Sequence, residues 1–197
     1  MARYSAEHVE RSHEAIRDAA ATLFRRRGYA GVGIDELCRS AGLTRGTFYS
    51  HFSSKAALLV AVLDGAHDFV RRLKARTGRS TTVLRRQAAD IAAAYLAPTN
   101  KQGVIGGCSL ASLAMETTRA GPEAKAAYAK AVAQVVAEFR RGGQGEETLP
   151  ADRARAALAL SVGGLLISNA CGDAREGRAV ARAASRFARR LLVEAEL

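Results

Sequence analysis

The sequence predicts an all-α protein, and three features of its composition and pattern support that fold class. Only 3 of the 197 residues are proline, while alanine, leucine and arginine, which favour helices, are abundant. Apolar residues recur at helical spacing along most of the chain, with little of the two-residue alternation that is typical of strands. Glycine and proline positions divide the chain into about nine helices.

The first predicted helix spans residues 11–27. Its apolar residues Ile16, Ala20 and Phe24 share one face, and Gly28 follows directly as a candidate C-cap. We expect residues 1–10 to form a mobile arm before the helix. The helix itself is expected to brace the segment that follows.

Residues 33–52 predict two short amphipathic helices joined by a tight turn. Gly42 can adopt a positive φ at no steric cost and so reverse the chain direction, and Thr44 is an N-cap candidate for the second helix. In that second helix, Phe48 and Phe52 are four residues apart and can face a core. Such a helix-turn-helix is typical of proteins that insert the second helix into a DNA major groove.

The opposite side of this second helix carries donors and acceptors of the kind that reach base edges and phosphates. The segment AGLTRGTFYSHFSSKAALL resembles the DNA-binding domain of the tetracycline-repressor (TetR) family of bacterial transcription regulators. Its motif is small-Gly-apolar-Ser/Thr-x-Gly-x-aromatic-Tyr-x-His-Phe followed by Lys, and the match extends upstream through Phe24, Gly28 and Tyr29. The resemblance implies that Thr44, Tyr49, His51 and Lys55 contact phosphates and that Arg45, Gly46 and Thr47 face the bases, with Ser50 on the same surface.

One position departs from the family pattern. Most relatives carry Ser or Thr where Val32 and Gly33 stand, so we expect one backbone contact fewer here. The resemblance further implies two domains, a helix-turn-helix DNA-binding domain at residues 1–53 and a helical effector-binding and dimerisation domain at residues 54–197.

The pattern of the remaining chain, from residue 54 onward, predicts six further helices. A long helix begins near residue 54 and continues to the break at residues 77–80; the others span residues 82–97, 107–118, 122–141, 150–171 and 175–195. The helix at 150–171 is apolar on nearly all sides, and its Gly163-Gly164 pair predicts a close helix–helix contact. The resemblance implies a homodimer through the last two helices, in which the Arg-rich face of the last helix remains solvated.

The resemblance also implies an unidentified small-molecule effector in the apolar interior of the second domain. Ordinary core packing explains the same side chains without any ligand. The candidate lining residues are Phe69, Tyr95, Cys108, Leu110, Met115, Tyr128 and Asn169.

The segment GVIGGCSLASLAMET suggests an alternative of the same fold. It resembles a Gly-Cys-x7-Glu segment in a TetR branch that includes sensors of electrophiles and oxidants. If Cys108 begins a helix, the helix dipole lowers the pKa of its thiol and favours a reactive thiolate. The competing interpretation, which we favour, is that Cys108 is a small buried hydrophobe.

The composition bounds the remaining function classes. The formal net charge is +11, with 14 basic and 8 acidic residues in 1–79 and 16 and 11 in 80–197, which fits a nucleic-acid partner without placing it. A non-specific DNA-binding protein is therefore one alternative. A helical enzyme is another, although the four histidines show no metal-ligand spacing and no nucleophile has an evident base. We expect no cofactor and no metal.

The expected compartment is a reducing bacterial cytoplasm. The three cysteines, Cys38, Cys108 and Cys171, are far apart and form no C-x-x-C pair. The N-terminal segment lacks the apolar stretch of a secretory signal. The uncharged run at residues 156–172 is too short and too rich in Ser, Gly and Asn for a membrane span, so we expect no membrane partner.

Overall fold

The computed structural model describes residues 6–65, 68–97 and 108–194, and within these ranges the chain is built from eleven helical segments. The all-α class is confirmed, and the described residues add only an isolated β-bridge between Arg141 and Glu147. The segments are α1 (Ala6–Arg27), α2 (Ile34–Ala41), α3 (Arg45–His51), α4 (Lys55–Asp64), α5 (Asp68–Lys74), α6 (Thr81–Leu96), α7 (Ser109–Ser112), α8 (Ala114–Arg119), α9 (Pro122–Arg140), α10 (Ala151–Ala170) and α11 (Ala174–Val193).

Two predicted helices are each divided in the structure, which accounts for eleven segments where about nine were predicted. The predicted long helix from residue 54 ends at Asp64, because Gly65 leaves the helical conformation with ψ 147°. The predicted helix at 107–118 is interrupted at Leu113, whose ψ of 6° separates α7 from α8. Both breaks fall inside apolar patterns, so periodicity alone did not reveal them.

The prediction that residues 1–10 form a mobile arm is partly wrong. Residues 1–5 lie outside the described residues, but α1 already begins at Ala6. Glu7 in the first turn suits the helix dipole and lies 3.7 Å from Arg11 one turn later, and the Ser12 hydroxyl donates to the His8 carbonyl at 2.9 Å. These local contacts stabilise the first turns of α1, which precede its apolar residues in sequence.

The contacts divide the chain into two compact units. Unit 1 comprises Met1–Gly65 and Ser112–Lys130; unit 2 comprises Ala66–Ala111 and Ala131–Leu197. Unit 1 therefore includes a segment remote in sequence from its first helices. The boundary predicted between residues 53 and 54 separates a DNA-binding domain from an effector-binding and dimerisation domain by function. The two units are defined by contacts, so that boundary stays a prediction.

The core of unit 1 is an apolar cluster drawn from α1, α2, α3 and α4. Phe24, Leu37, Phe48 and Leu58 are completely buried in it, as is Leu113, which directly precedes α8. The helices are amphipathic, so their apolar sides meet here and their polar sides remain at the surface. This arrangement positions α3 for contacts outside the protein.

Unit 2 contains the close helix–helix contact predicted from the glycine pair, but only one glycine makes it within the chain. A Cβ on Gly164 would lie 2.4 Å from the Cβ of Ala184, so α10 and α11 pack too closely there for any side chain. A Cβ on Gly163 would meet nothing within 4 Å. Gly163 is therefore not explained by packing inside the described chain.

A buried arginine joins three elements of unit 2. The Arg76 guanidinium donates to the carbonyls of Leu73 and Leu84, both at 2.8 Å, and to the Glu138 carbonyl. Burial lowers the pKa of Arg76, and the neighbouring Arg141 adds to that effect. The side chain thus ties the end of α5 to α6 and α9 through donors that only arginine supplies in this geometry.

We predict that Gly42→Ala destabilises the protein by about 1–2 kcal/mol, because Gly42 has a φ of +68° that disfavours any Cβ. A Cβ at Gly42 would meet no atom within 4 Å, so the cost is conformational rather than steric. Urea unfolding followed by circular dichroism measures it.

The matched control is Gly33→Ser. Gly33 caps α2 with φ −89° and ψ 160° and has open space at its Cβ, so serine should raise stability by a few tenths of a kcal/mol. Equal stability of wild type and Gly42→Ala would contradict the left-handed turn.

Candidate nucleic-acid interface

The turn between α2 and α3 is held by backbone hydrogen bonds. The Leu43 amide donates to the Cys38 carbonyl at 2.9 Å and the Gly42 amide donates to the Arg39 carbonyl at 3.3 Å. This is the pattern of a helix C-cap that ends in a left-handed residue. Thr44 then starts α3, its hydroxyl accepting from the Thr47 amide at 3.2 Å.

The two sides of α3 have opposite environments. Phe48 is fully buried and Phe52, its C-cap, is 5% exposed, whereas Tyr49 on the other side is 50% exposed. Arg45, Gly46 and Ser50 are also exposed, and Thr47 and His51 are half-buried. The structure therefore brings the predicted contact residues of α3 together on one outward surface.

Arg45 is held by two neighbours at this surface. Its Nε lies 3.3 Å from Oδ1 of Asp35 on α2, and both side chains remain largely exposed. The hydrogen bond with Tyr49 and the charge of Asp35 raise the pKa of Arg45. An exposed pair of this kind contributes little to stability, so a stronger acceptor can displace Asp35.

The hydroxyl residues of α3 have local partners. The hydroxyls of Thr44 and Thr47 lie 3.0 Å apart, and the Ser50 hydroxyl donates to the Thr47 carbonyl at 2.7 Å. Each hydroxyl retains a further donor or acceptor position. These contacts fix the side chains in place at the surface.

Lys55 serves the architecture as well as the predicted surface. Its Nζ donates to the carbonyls of Tyr29 and Val32, both at 2.9 Å, and lies 4.3 Å from the centroid of the Tyr29 ring. The ammonium therefore satisfies two carbonyls in the loop between α1 and α2. Of its three N–H donors, these two bonds leave one for another acceptor.

His51 sits in an aromatic group at the end of α3. Its ring lies 5.7 Å from the His13 ring of α1, and His13 in turn stacks on Phe52 at 4.8 Å. Burial and the neighbouring His13 lower the pKa of His51, and Glu10 opposes them. Sequence reasoning missed that His13, Asp35 and Tyr29 support this surface, because these contacts join residues of different elements.

The seven predicted effector residues do not form one group. Phe69 stacks on Tyr95 at 4.6 Å in unit 2, where Cys108 and Leu110 are also buried. Tyr128 instead packs against the core of unit 1.

Two of the seven are exposed, which does not fit an apolar interior. Met115 is 64% exposed, and Asn169 is exposed at the rim of an open cavity between α6, α10 and α11. The amphipathic pattern of a short helix, such as the six-residue α8, is a weak guide to which side faces inward. The effector role of these residues stays a prediction.

In the described part of the chain, no group of three or more His, Cys, Asp or Glu side chains could hold a metal ion. None of the helices described is long and apolar enough to cross a membrane, and this includes α10.

Comparison with known proteins agrees with this geometry. The sequence model of the bacterial regulatory proteins, tetR family, matches residues 16–62. The HTH-type transcriptional regulator SrpR of Pseudomonas putida is 41% identical over 63 residues, which are 32% of this chain and 30% of SrpR. The chain thus spans about a third of the length of the curated relatives it matches.

Solved structures extend the likeness in fold to nearly the whole chain. A TetR transcriptional regulator from Chloroflexus aurantiacus has a TM-score of 0.72 at 22% identity, covering 95% of this chain and 97% of the other. NemR of E. coli in its reduced form has a TM-score of 0.66 at 21% identity, covering 92% and 97%. Residues 16–62 thus match the model of the bacterial regulatory proteins, tetR family, and the fold of nearly the whole chain resembles that of solved TetR-family structures.

Proposed function

We propose that the protein is a ligand-responsive transcriptional regulator, most simply a repressor, that binds a near-palindromic operator through α3. The observation that carries this proposal is the division of α3 into a buried phenylalanine side and an exposed polar side. A helix that presents donors outward on a rigid core can enter a major groove without refolding. Such a regulator acts in the bacterial cytoplasm.

Gly46 supports this role because none of the described residues packs so closely that a glycine is required there. Its φ is not positive, and a Cβ would make only an ordinary 3.7 Å contact with the Thr44 hydroxyl. Glycine inside a helix costs about 0.5–1 kcal/mol relative to alanine. The missing side chain therefore serves an external surface, which fits close approach of α3 to the bases.

The neighbouring residues take complementary roles in the proposal. Arg45 makes a bidentate contact to guanine after leaving Asp35, and Thr47 reads an adjacent base. Phosphate contacts come from Thr44, Tyr49, Ser50, His51 and the remaining Lys55 donor. Gly33 provides no hydroxyl for this purpose.

The proposed homodimer is supported by an exposed apolar face on the last two helices. On α10, Leu166 and Ile167 are 41% and 55% exposed, and on α11 Phe187 is 45% exposed. Gly163 lies in the same row of α10 as Ile167, with open space at its Cβ. Exposed apolar groups of this size mark an interaction surface, and a second copy of the same helices is the proposed partner.

In such a dimer the two α3 helices would meet successive major grooves about 34 Å apart. An effector that binds the conformation with the wrong separation shifts the population away from DNA. The tight stack of Phe69 on Tyr95, flanked by Phe139 at 6.0 Å, is the apolar group we propose it opens.

The thiol sensor remains a second candidate because NemR shares the fold and its structure is that of a reduced form. Cys108 directly precedes α7, which has only four residues, and is 3% exposed. Burial keeps most reagents from the thiol, so the packing interpretation remains the better supported one.

We predict that Gly46→Ala raises stability by about 0.5–1 kcal/mol and weakens operator binding at least tenfold, because the added methyl group blocks close approach. Genomic selection with purified protein supplies the operator. Urea unfolding and fluorescence anisotropy measure the two effects.

Arg45→Ala is the companion variant. It should relax preference at one base pair per half-site, a discrimination of about 1–3 kcal/mol. Unchanged operator affinity in both variants would exclude α3 as the recognition helix. Uniform, strongly salt-dependent binding to all sequences would instead favour a non-specific DNA-binding protein.

We predict that Ile167→Glu converts the dimer into a monomer and lowers operator affinity by at least tenfold. A buried, unpaired carboxylate at the interface carries a large desolvation cost. Sedimentation equilibrium measures the oligomeric state. The matched control is Val83→Glu on α6, a valine 43% exposed, which should leave the dimer intact. A monomeric wild type at micromolar concentration would refute the dimer.

We predict that a maleimide probe labels Cys171 well before Cys108 in the folded protein. Cys171 is partly exposed, whereas Cys108 is buried. Cys38 serves as a reference that should react slowly with maleimide, because it is buried and burial raises the pKa of its thiol. Mass spectrometry of timed samples gives the order. Rapid labelling of Cys108 that also releases DNA would instead establish the thiol sensor.

A further inference from the structure

Helix α11 carries five arginines on one side, which we call the basic stripe: Arg175, Arg178, Arg182, Arg186 and Arg189. They recur at intervals of three and four residues, so they fall on one helical face. At 1.5 Å per residue, the stripe is about 21 Å long.

The stripe is exposed and nearly free of counter-charge. All five residues are exposed, and Arg189 donates to Asp90 of α6 at 2.6 Å. For the other four, the described parts of the chain supply no carboxylate partner; Arg186 instead lies over the Phe187 ring at 5.3 Å.

Three other exposed arginines of this protein are placed differently. Arg11, Arg155 and Arg190 each have an acid three or four residues away in sequence, at 3.7, 2.8 and 3.2 Å. In the stripe, the neighbours at these positions are other arginines, which repel one another along the helix.

The fold does not explain the stripe. Arg175 lies in the first turn of α11, where the helix dipole disfavours a cation. The opposite face of α11 packs through Ala181, Ala184 and Ala188 without help from the arginines. By helical spacing Phe187, on the proposed dimer face, falls about 140° from the centre of the stripe, so Arg186, which lies over its ring, is the stripe residue that borders that face.

We propose that the basic stripe is a second contact surface for the phosphate backbone of duplex DNA, independent of sequence and separate from α3. Guanidinium groups match phosphate oxygens in a bidentate manner, and a row of them suits a row of phosphates. An anionic membrane fits less well, because the apolar side of α11 is used inside unit 2 and cannot enter a bilayer.

The test compares two variants that each lose three charges from unit 2. The first is R178Q/R182Q/R186Q in the stripe; the control is R72Q/R79Q/R86Q, three exposed arginines elsewhere in the unit. The probe is a random-sequence 30-base-pair duplex, titrated by anisotropy between 50 and 200 mM KCl. It holds no operator, so the result does not depend on recognition by α3.

The stripe variant should bind at least tenfold more weakly at 100 mM KCl, with the slope of log K against log salt reduced by about 2–3. The control variant should change the slope by less than about 1. R178K/R182K/R186K should keep most of the wild-type slope, which separates lost contacts from lost folding.

Three results would overturn the proposal. The first is an unchanged slope in the stripe variant, and the second is an equal loss in both variants, which would show an effect of net charge alone. The third is wild-type binding to phosphatidylserine vesicles that is lost in the stripe variant while duplex binding persists, which would identify a membrane partner.

Discussion

The burial of Phe48 and Phe52 is the constraint on which the candidate interface depends. Two aromatic rings four residues apart commit one side of α3 to the core of unit 1, where α1, α2 and α4 supply the rest of the apolar cluster. Because α3 has only seven residues, that commitment leaves a single possible outward side. The polar residues of α3 that are predicted to contact DNA are exposed as a consequence, and this packing alone orients them.

Remote parts of the chain complete this core. Leu113, Ala124 and Ala127 belong to the same buried cluster although they follow α3 by more than sixty residues. Lys130 on α9 lies 2.8 Å from Asp64 at the end of α4, and a carboxylate oxygen of Glu116 approaches Gly28 so closely that a Cβ there would be 2.9 Å from it. A change in α8 or α9 can therefore alter the packing beneath α3.

The basic charge of the protein divides into kinds with different physical roles. Arg76 is buried and donates hydrogen bonds to carbonyls of three helices, so its role is structural. Lys55 satisfies the loop between α1 and α2 while remaining near the surface of α3. Arg45 is exposed and weakly held, which suits a group that exchanges an internal partner for an external one. Net charge alone cannot make these distinctions, because it counts each cation equally.

Sequence pattern alone determined the all-α class, the helix-turn-helix and the outward side of α3. These follow from local rules: the spacing of apolar residues, the glycine at the left-handed turn and the threonine cap, each acting over a few residues. The bounds of α6, α9, α10 and α11 agree with the predicted ranges within two residues for the same reason.

Only the tertiary structure decided where helices are interrupted and which side chains of different helices contact one another. It divided the predicted long helix at Gly65, exposed Met115, assigned Tyr128 to the core of unit 1 and paired Arg45 with Asp35. Each of these outcomes depends on packing or charge between residues distant in sequence. Periodicity shows that a face is apolar or charged, but the neighbour that meets the face is set by the folded chain.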